Sequence, residues 1–123
     1  MARSSVIVVE VTIVINTAVS TGVDFSGRRL AGVIGPAAWT AGDITFEIWE
    51  PAGAAWRKVV DASGALVKIT GVATALAEYM IPPEIADRFM GPNLRIVSTN
   101  TASEVDVNQD AARTLYVVLE EMG

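Results

Sequence analysis

The chain contains no cysteine and no histidine among its 123 residues. Lacking cysteine, it has no disulfide framework, no thiol nucleophile and no thiolate metal site. Lacking histidine, it is missing the commonest general base, the commonest metal ligand and the usual switch near neutral pH. Hydrolase templates built on a Ser–His, Cys–His or zinc–His constellation are excluded. The expectation is a protein that is not an enzyme and carries no cofactor or metal. Basic residues are scarce as well: nine Lys and Arg stand against fourteen Asp and Glu, a net charge of −5. Arg28-Arg29 and Arg57-Lys58 are the only basic pairs, so the concentrated cationic face of a nucleic-acid binder is absent from the sequence. No run reaches the roughly 18 apolar residues of a membrane-spanning helix, and neither nucleic acid nor membrane is expected as a partner.

Two stretches imitate targeting signals. The first twenty residues, MARSSVIVVEVTIVINTAVS, place Arg3 before an apolar run. Glu10 and Thr12 interrupt that run and its period is two, so it reads as a strand rather than a cleaved leader. Arg28-Arg29 before LAGVIGPAAW mimics a twin-arginine signal but lies too far into the chain.

What the sequence does have is apolar content, 51% of residues, rich in Val and Ile, which favour strands. All three tryptophans fall between Leu30 and Trp56, at Trp39, Trp49 and Trp56. Between them Ile44, Phe46 and Ile48 alternate with Thr45, Glu47 and Trp49, the signature of a strand with one buried face. Pro36, Gly42-Asp43 and Pro51-Ala52-Gly53 supply turns. This unit reads as the central hairpins of a sandwich, with aromatic rings between two sheets and Trp49 pointing away from the Phe46 side.

Val6 to Ile15 alternates too. Ile7, Val9, Val11, Ile13 and Ile15 form an apolar face, opposed by a mixed face of Val6, Val8, Glu10, Thr12 and Val14. This segment is either a long strand of the domain's own sheet or an arm that augments a neighbour's sheet. Further strands are expected at Arg28 to Ile34, Trp56 to Asp61, Ala65 to Thr70, Glu78 to Ile81, Leu94 to Thr99 and Arg113 to Glu120. A helical turn is expected over Pro83 to Phe89, and a polar loop over Thr99 to Ala112. The predicted fold is all-β, a single-domain antiparallel β-sandwich, jelly-roll-like, of about eight strands with a long N-terminal strand or arm. Residues 1–26 form that strand and its connection, and residues 27–123 the sandwich body.

Three groupings invite chemistry. Glu104, Asp106, Asn108 and Asp110 alternate in the manner of hard-cation ligands, yet from Asp106 the EF-hand glycine and glutamate positions hold Ala111 and Val117. A solvated acidic loop is the simpler reading. Acid pairs such as Glu47 with Glu50, or Glu84 with Asp87, suit glycoside hydrolysis only inside an apolar cleft. Trp39, Trp49, Trp56 and Tyr79 could offer a stacking platform to a glycan, against which stands the large area that core aromatics bury.

The order of several short motifs resembles small virion proteins of tailed bacteriophages. These are the Leu-Gly strand leading into Pro36-Ala37-Ala38-Trp39; Ile44-Thr45-Phe46 with its following tryptophan; Asp61 with Gly64; Pro82-Pro83-Glu84; Leu94-Arg95-Ile96-Val97-Ser98; and Val107-Asn108-Gln109 with Arg113-Thr114-Leu115. The likeness spans roughly residues 27 to 119. It implies a virion-located β-sandwich that decorates the capsid or forms the base of a head or tail fibre, with copies of itself and other virion proteins as partners. The partner-binding residues expected on that reading are Ile7, Val9, Val11, Ile13, Ile15 and Trp49. The order Ile44-Thr45-Phe46, tryptophan, Asp61, Gly64 also resembles discoidin-like, galactose-binding jelly rolls, which implies a glycan ligand instead.

Overall fold

The computed structural model describes residues 6–25, 27–40, 42–70, 77–80 and 93–121. Alternating β-branched stretches become nine strands among them: β1 (Val6–Ile13), β2 (Val23–Asp24), β3 (Arg28–Ile34), β4 (Asp43–Glu50), β5 (Ala55–Lys58), β6 (Lys68–Ile69), β7 (Glu78–Met80), β8 (Asn93–Thr99) and β9 (Arg113–Glu121). They form two antiparallel sheets. The first has the order β1-β9-β3-β7; the second runs β2-β8-β4-β5, with β6 also against β4. β5 pairs with the far half of β4 (Glu47 to Glu50) and β6 with its near half (Ile44 and Thr45), so the two occupy one edge in succession. Counted as one strand, they leave the nested pairs first–last, second–second-last and so on inward. That nesting is the jelly roll, as expected from the sequence.

The sandwich closes because one face of each sheet is aliphatic. Val11, Ile13, Leu30, Val33, Leu115, Val117 and Leu119 of the first sheet meet Val23, Ile44, Phe46, Leu94 and Ile96 of the second, with Phe25 just beyond β2. The aromatic rings between the sheets are Phe25 and Phe46. Of the tryptophans, only Trp39 packs against this core. Trp49 and Trp56 stand on the opposite face of the second sheet, because they alternate with the core-facing Ile48 and Ala55. The expectation that aromatic rings fill the space between the sheets is thus corrected for Trp56, while Trp49 lies outward as its alternation predicts.

β1 is a full member of the first sheet, paired along its length with β9 from Val6↔Glu120 to Ile13↔Arg113. Residues 6–25 are therefore built into the sandwich, and β2 within them pairs with β8. A two-residue strand leaves too little periodicity to be seen in sequence. The helical turn expected over residues 83–89 lies outside the described residues.

Two turns show why the connections hold. Between β5 and β6 the chain forms a small hairpin, closed where Asp61 accepts hydrogen bonds from the Ser63 amide (2.8 Å), the Ser63 hydroxyl (2.7 Å) and the Ala65 amide (3.1 Å). The Ser63 hydroxyl bond and then the backbone donors hold the Asp61 carboxyl below its ordinary value of 3.8. The charged form is the one the turn prefers, so this closure is present above pH 3.8 and is lost as pH falls through the depressed value. Gly64 completes the turn at φ 88°, where a side chain would be strained. Gly42, just before β4, is needed for another reason: a β-carbon there would lie 2.8 Å from the Thr99 carbonyl oxygen.

Candidate functional site

Two surfaces carry side chains that the core does not absorb. The first is the β1 edge with the outer face of the first sheet. Alternation from the buried Val11 and Ile13 turns Val6, Val8, Glu10 and Thr12 outward, and Val6 and Val8 are 56% and 52% exposed. Beside them the register sets Glu120, Val118, Tyr116 and Thr114 of β9, followed by Arg29, Gly32 and Ile34 of β3. The Arg29 guanidinium donates to Glu120 at 2.6 Å, so this charged row of the outer face is internally matched across β9 and β3. A shallow groove of about 300 Å³ opens near Tyr116 between Pro36, Ala38 and Ala112. The Arg113 that lines it already faces Asp110 at 2.7 Å.

The second surface is the outer face of the second sheet. Trp49 and Trp56 are direct cross-strand partners, and their rings meet edge-on with centroids 5.5 Å apart. The Arg95 guanidinium of β8 lies 4.4 Å above the Trp56 ring, within cation–π range. Arg95 also donates to Glu47 Oε1, through Nε at 2.8 Å and Nη2 at 2.5 Å. Lys58 lies between Glu47 (3.4 Å) and Asp106 (3.1 Å). Partial burial pulls the Lys58 ammonium down, but the hydrogen bond and charge of Asp106, with the charge of Glu47, outweigh it and leave it above its ordinary 10.5. A raised lysine stabilises the fold fully below pH 10.5, and that contribution disappears as pH rises through the elevated value. Lys68 similarly faces Asp43 and Glu104. The 100–106 loop is thereby tied over this sheet by its own acids.

The residues singled out from sequence separate accordingly. Val11 and Ile13 are in the protein's own core at 2% and 0% exposure, and Val9 packs against it. Ile7 is half-buried, and Ile15 lies past β1, 55% exposed. Trp49 points away from Phe46, as its alternation predicts. Of the paired acids, Glu47 is engaged by Arg95 and Lys58, while Glu50 accepts from the Gly53 amide and faces Arg57; Glu84 and Asp87 lie outside the described residues. Glu104, Asp106 and Asp110 each turn to a different cation. No group of three potential metal ligands converges among the described residues.

Residues that the sequence did not suggest include Val6 and Val8, Arg95, and Gln109. The first two carried only a faint signal, since Val6 to Val9 is apolar on both faces while Glu10 and Thr12 make the outer one mixed further on. Arg95 and Gln109 carried none, because their partners come from distant strands. No protein-family model, curated protein or solved structure matches the chain.

Proposed function

We propose that this protein is a structural component of a tailed-phage particle, decorating the capsid or seating a head or tail fibre, and that it acts through contacts with other subunits. The observation that carries the reading is β1: a long sheet edge flanked by exposed valines, where a sandwich working alone would place charge or a bulge. The jelly roll is an architecture used by capsid proteins, and the motif order resembles phage virion proteins. Fold by itself does not assign a role, so the test is physical association. The chain is expected to co-sediment with intact particles through a density gradient and to be counted in many copies by quantitative mass spectrometry. Recovery only in the soluble fraction of the lysate would contradict the reading.

A glycan-binding role rests on Trp49, whose half-exposed indole borders a face that carries polar groups at Glu47 and Arg95. One face of Trp56 is already covered by Arg95, leaving a single ring for stacking. On this alternative Trp49→Ala lowers glycan-array signal at least about tenfold, the worth of one stacked aromatic contact. A wild-type chain silent on the array removes it.

A further inference from the structure

We infer that the β1 edge is a homotypic interface: two copies pair β1 to β1, antiparallel, across a two-fold axis at Val8. The inference rests on the subunit-contact reading above and names its partner as a second copy of this chain.

The direction of the backbone groups can be read from one bond. The Thr21 amide donates to the Thr12 carbonyl at 3.2 Å, from the side of β1 opposite β9. In an extended strand, the N–H and C=O of one residue point to the same side and alternate residue by residue. The backbone groups of Ile7, Val9 and Val11 therefore serve β9, and those of Val6, Val8 and Glu10 point to the free edge. Thr12 is the last outward residue and the 20–21 segment takes its carbonyl. Among the described residues nothing pairs with Val6, Val8 or Glu10 on that side.

These three residues fix the register. An antiparallel two-fold pair satisfies the outward groups only if outward residues face outward residues, so the axis passes through a residue and not between two. Centred on Val8, the pairs are Val8 with Val8, and Val6 with Glu10 in both directions. Each such pair exchanges two bonds, about six in all, and the pairing ends where Thr12 is already engaged. Glu10 stays away from its own copy, whereas an axis at Glu10 would oppose like charges.

The side chains agree with that choice. The row crossing the axis runs Gly32, Val118, Val8 and then Val8, Val118, Gly32 of the second copy, all uncharged. In the adjoining row, Glu10 of one copy comes beside Val6 of the other, and the nearest acid, Glu120, is already matched by Arg29. The two four-stranded sheets become one continuous sheet, and the exposed Val6 and Val8 gain neighbours. The other described edges are poorer templates: β7 spans three residues, β2 has two, and the β5–β6 edge is broken into four and two with Arg57, Lys58 and Lys68 along it.

The interface is small, so association in solution is concentration-dependent and strengthened when many copies share a particle. The absence of native cysteine permits a clean test by oxidation of single-cysteine variants of the full chain. Opposed Cα atoms in a hydrogen-bonded pair lie about 5.5 Å apart, within disulfide reach. Val8→Cys is expected to crosslink with itself. Val6→Cys alone is not, but Val6→Cys mixed with Glu10→Cys is, and Val14→Cys, equally exposed, is not. By sedimentation, Val8→Lys weakens the dimer on the order of tenfold or more, from lost burial and opposed charge. All of these positions are at the surface, and unchanged circular dichroism confirms that each variant folds.

A chain that stays monomeric at high concentration and fails to crosslink through Val8→Cys overturns the inference. So does crosslinking through Val6→Cys alone, which would place the axis elsewhere. If the chain is monomeric but Val8→Lys abolishes incorporation into particles, the edge receives another protein's strand; the homotypic pairing is wrong and the virion role stands. If it dimerises as described yet is missing from particles, the pairing stands and the virion role fails.

Discussion

Replacing Gln109 with alanine lowers the free energy of unfolding by about 3 kcal/mol, although the residue sits in a polar loop. Gln109 is fully buried. Its Oε1 accepts from the Thr40 amide at 2.9 Å and from Arg113 Nε at 3.0 Å, and its Nε2 donates to the Ser98 hydroxyl at 2.7 Å. Its backbone closes the link: the Gln109 amide donates to the Thr17 carbonyl and its carbonyl accepts from Asn16. One side chain thus joins the β3–β4 connection, β8 and β9, while the main chain ties in the segment after β1. Alanine leaves two donors and a hydroxyl without partners in a site closed to water, each costing roughly 1–3 kcal/mol with partial relaxation. Gln109→Glu keeps the acceptor beside Arg113 and loses the Nε2 donor to Ser98 and, at 3.5 Å, to the Thr40 carbonyl, so its loss should be about half as large. Urea unfolding checks both. A loss below about 1 kcal/mol for alanine would mean that the network relaxes freely.

Glu47→Ala is expected to cost about 2 kcal/mol, most of it through Arg95. The Glu47 side chain is 9% exposed and Arg95 23%, whereas Lys58 is 40% exposed. The exposed lysine pair is screened by water and contributes little. Arg95 is held twice, by Glu47 below and the Trp56 ring beside it, so loss of the carboxylate leaves a half-buried cation with only an aromatic face. A double-mutant cycle with Arg95→Ala should give a coupling of about 1–2 kcal/mol. A coupling under about 0.5 kcal/mol would assign the arrangement to chance proximity.

The contrast between these residues shows where sequence was readable. Strands β1, β4, β8 and β9 were legible because they alternate over seven to nine residues, enough for the period of two to stand out, and β3 as a short run stopped by Gly35-Pro36. The jelly roll followed from their spacing and turn residues. The pairing of the first strand with the last did not, since nothing local to Val6–Ile13 encodes a partner at the other end of the chain. Ile7, Val9, Val11 and Ile13 stood out as an apolar face, and the fold directs that face inward. The surface left over is the other face, Val6 and Val8, which looked merely mixed beside Glu10 and Thr12. Trp49 was placed on the outer side by alternation alone. Its meeting with Trp56 depends on the β4–β5 register, and the Arg95 cover on β8. Gln109 was invisible for the opposite reason: a polar residue between polar residues gives no sign of burial until the strands around it are assembled.

Amide hydrogen exchange on the full chain, followed residue by residue by NMR at low and high concentration, decides whether β1 is an interface. The Ile7, Val9 and Val11 amides face β9 and should be protected at both concentrations. The Val6, Val8 and Glu10 amides should exchange rapidly in dilute solution and become protected as concentration rises, in step with the dimer seen by sedimentation. If those three amides remain open at every concentration while Ile7, Val9 and Val11 stay closed, the edge is unused between copies and homotypic docking through β1 is wrong.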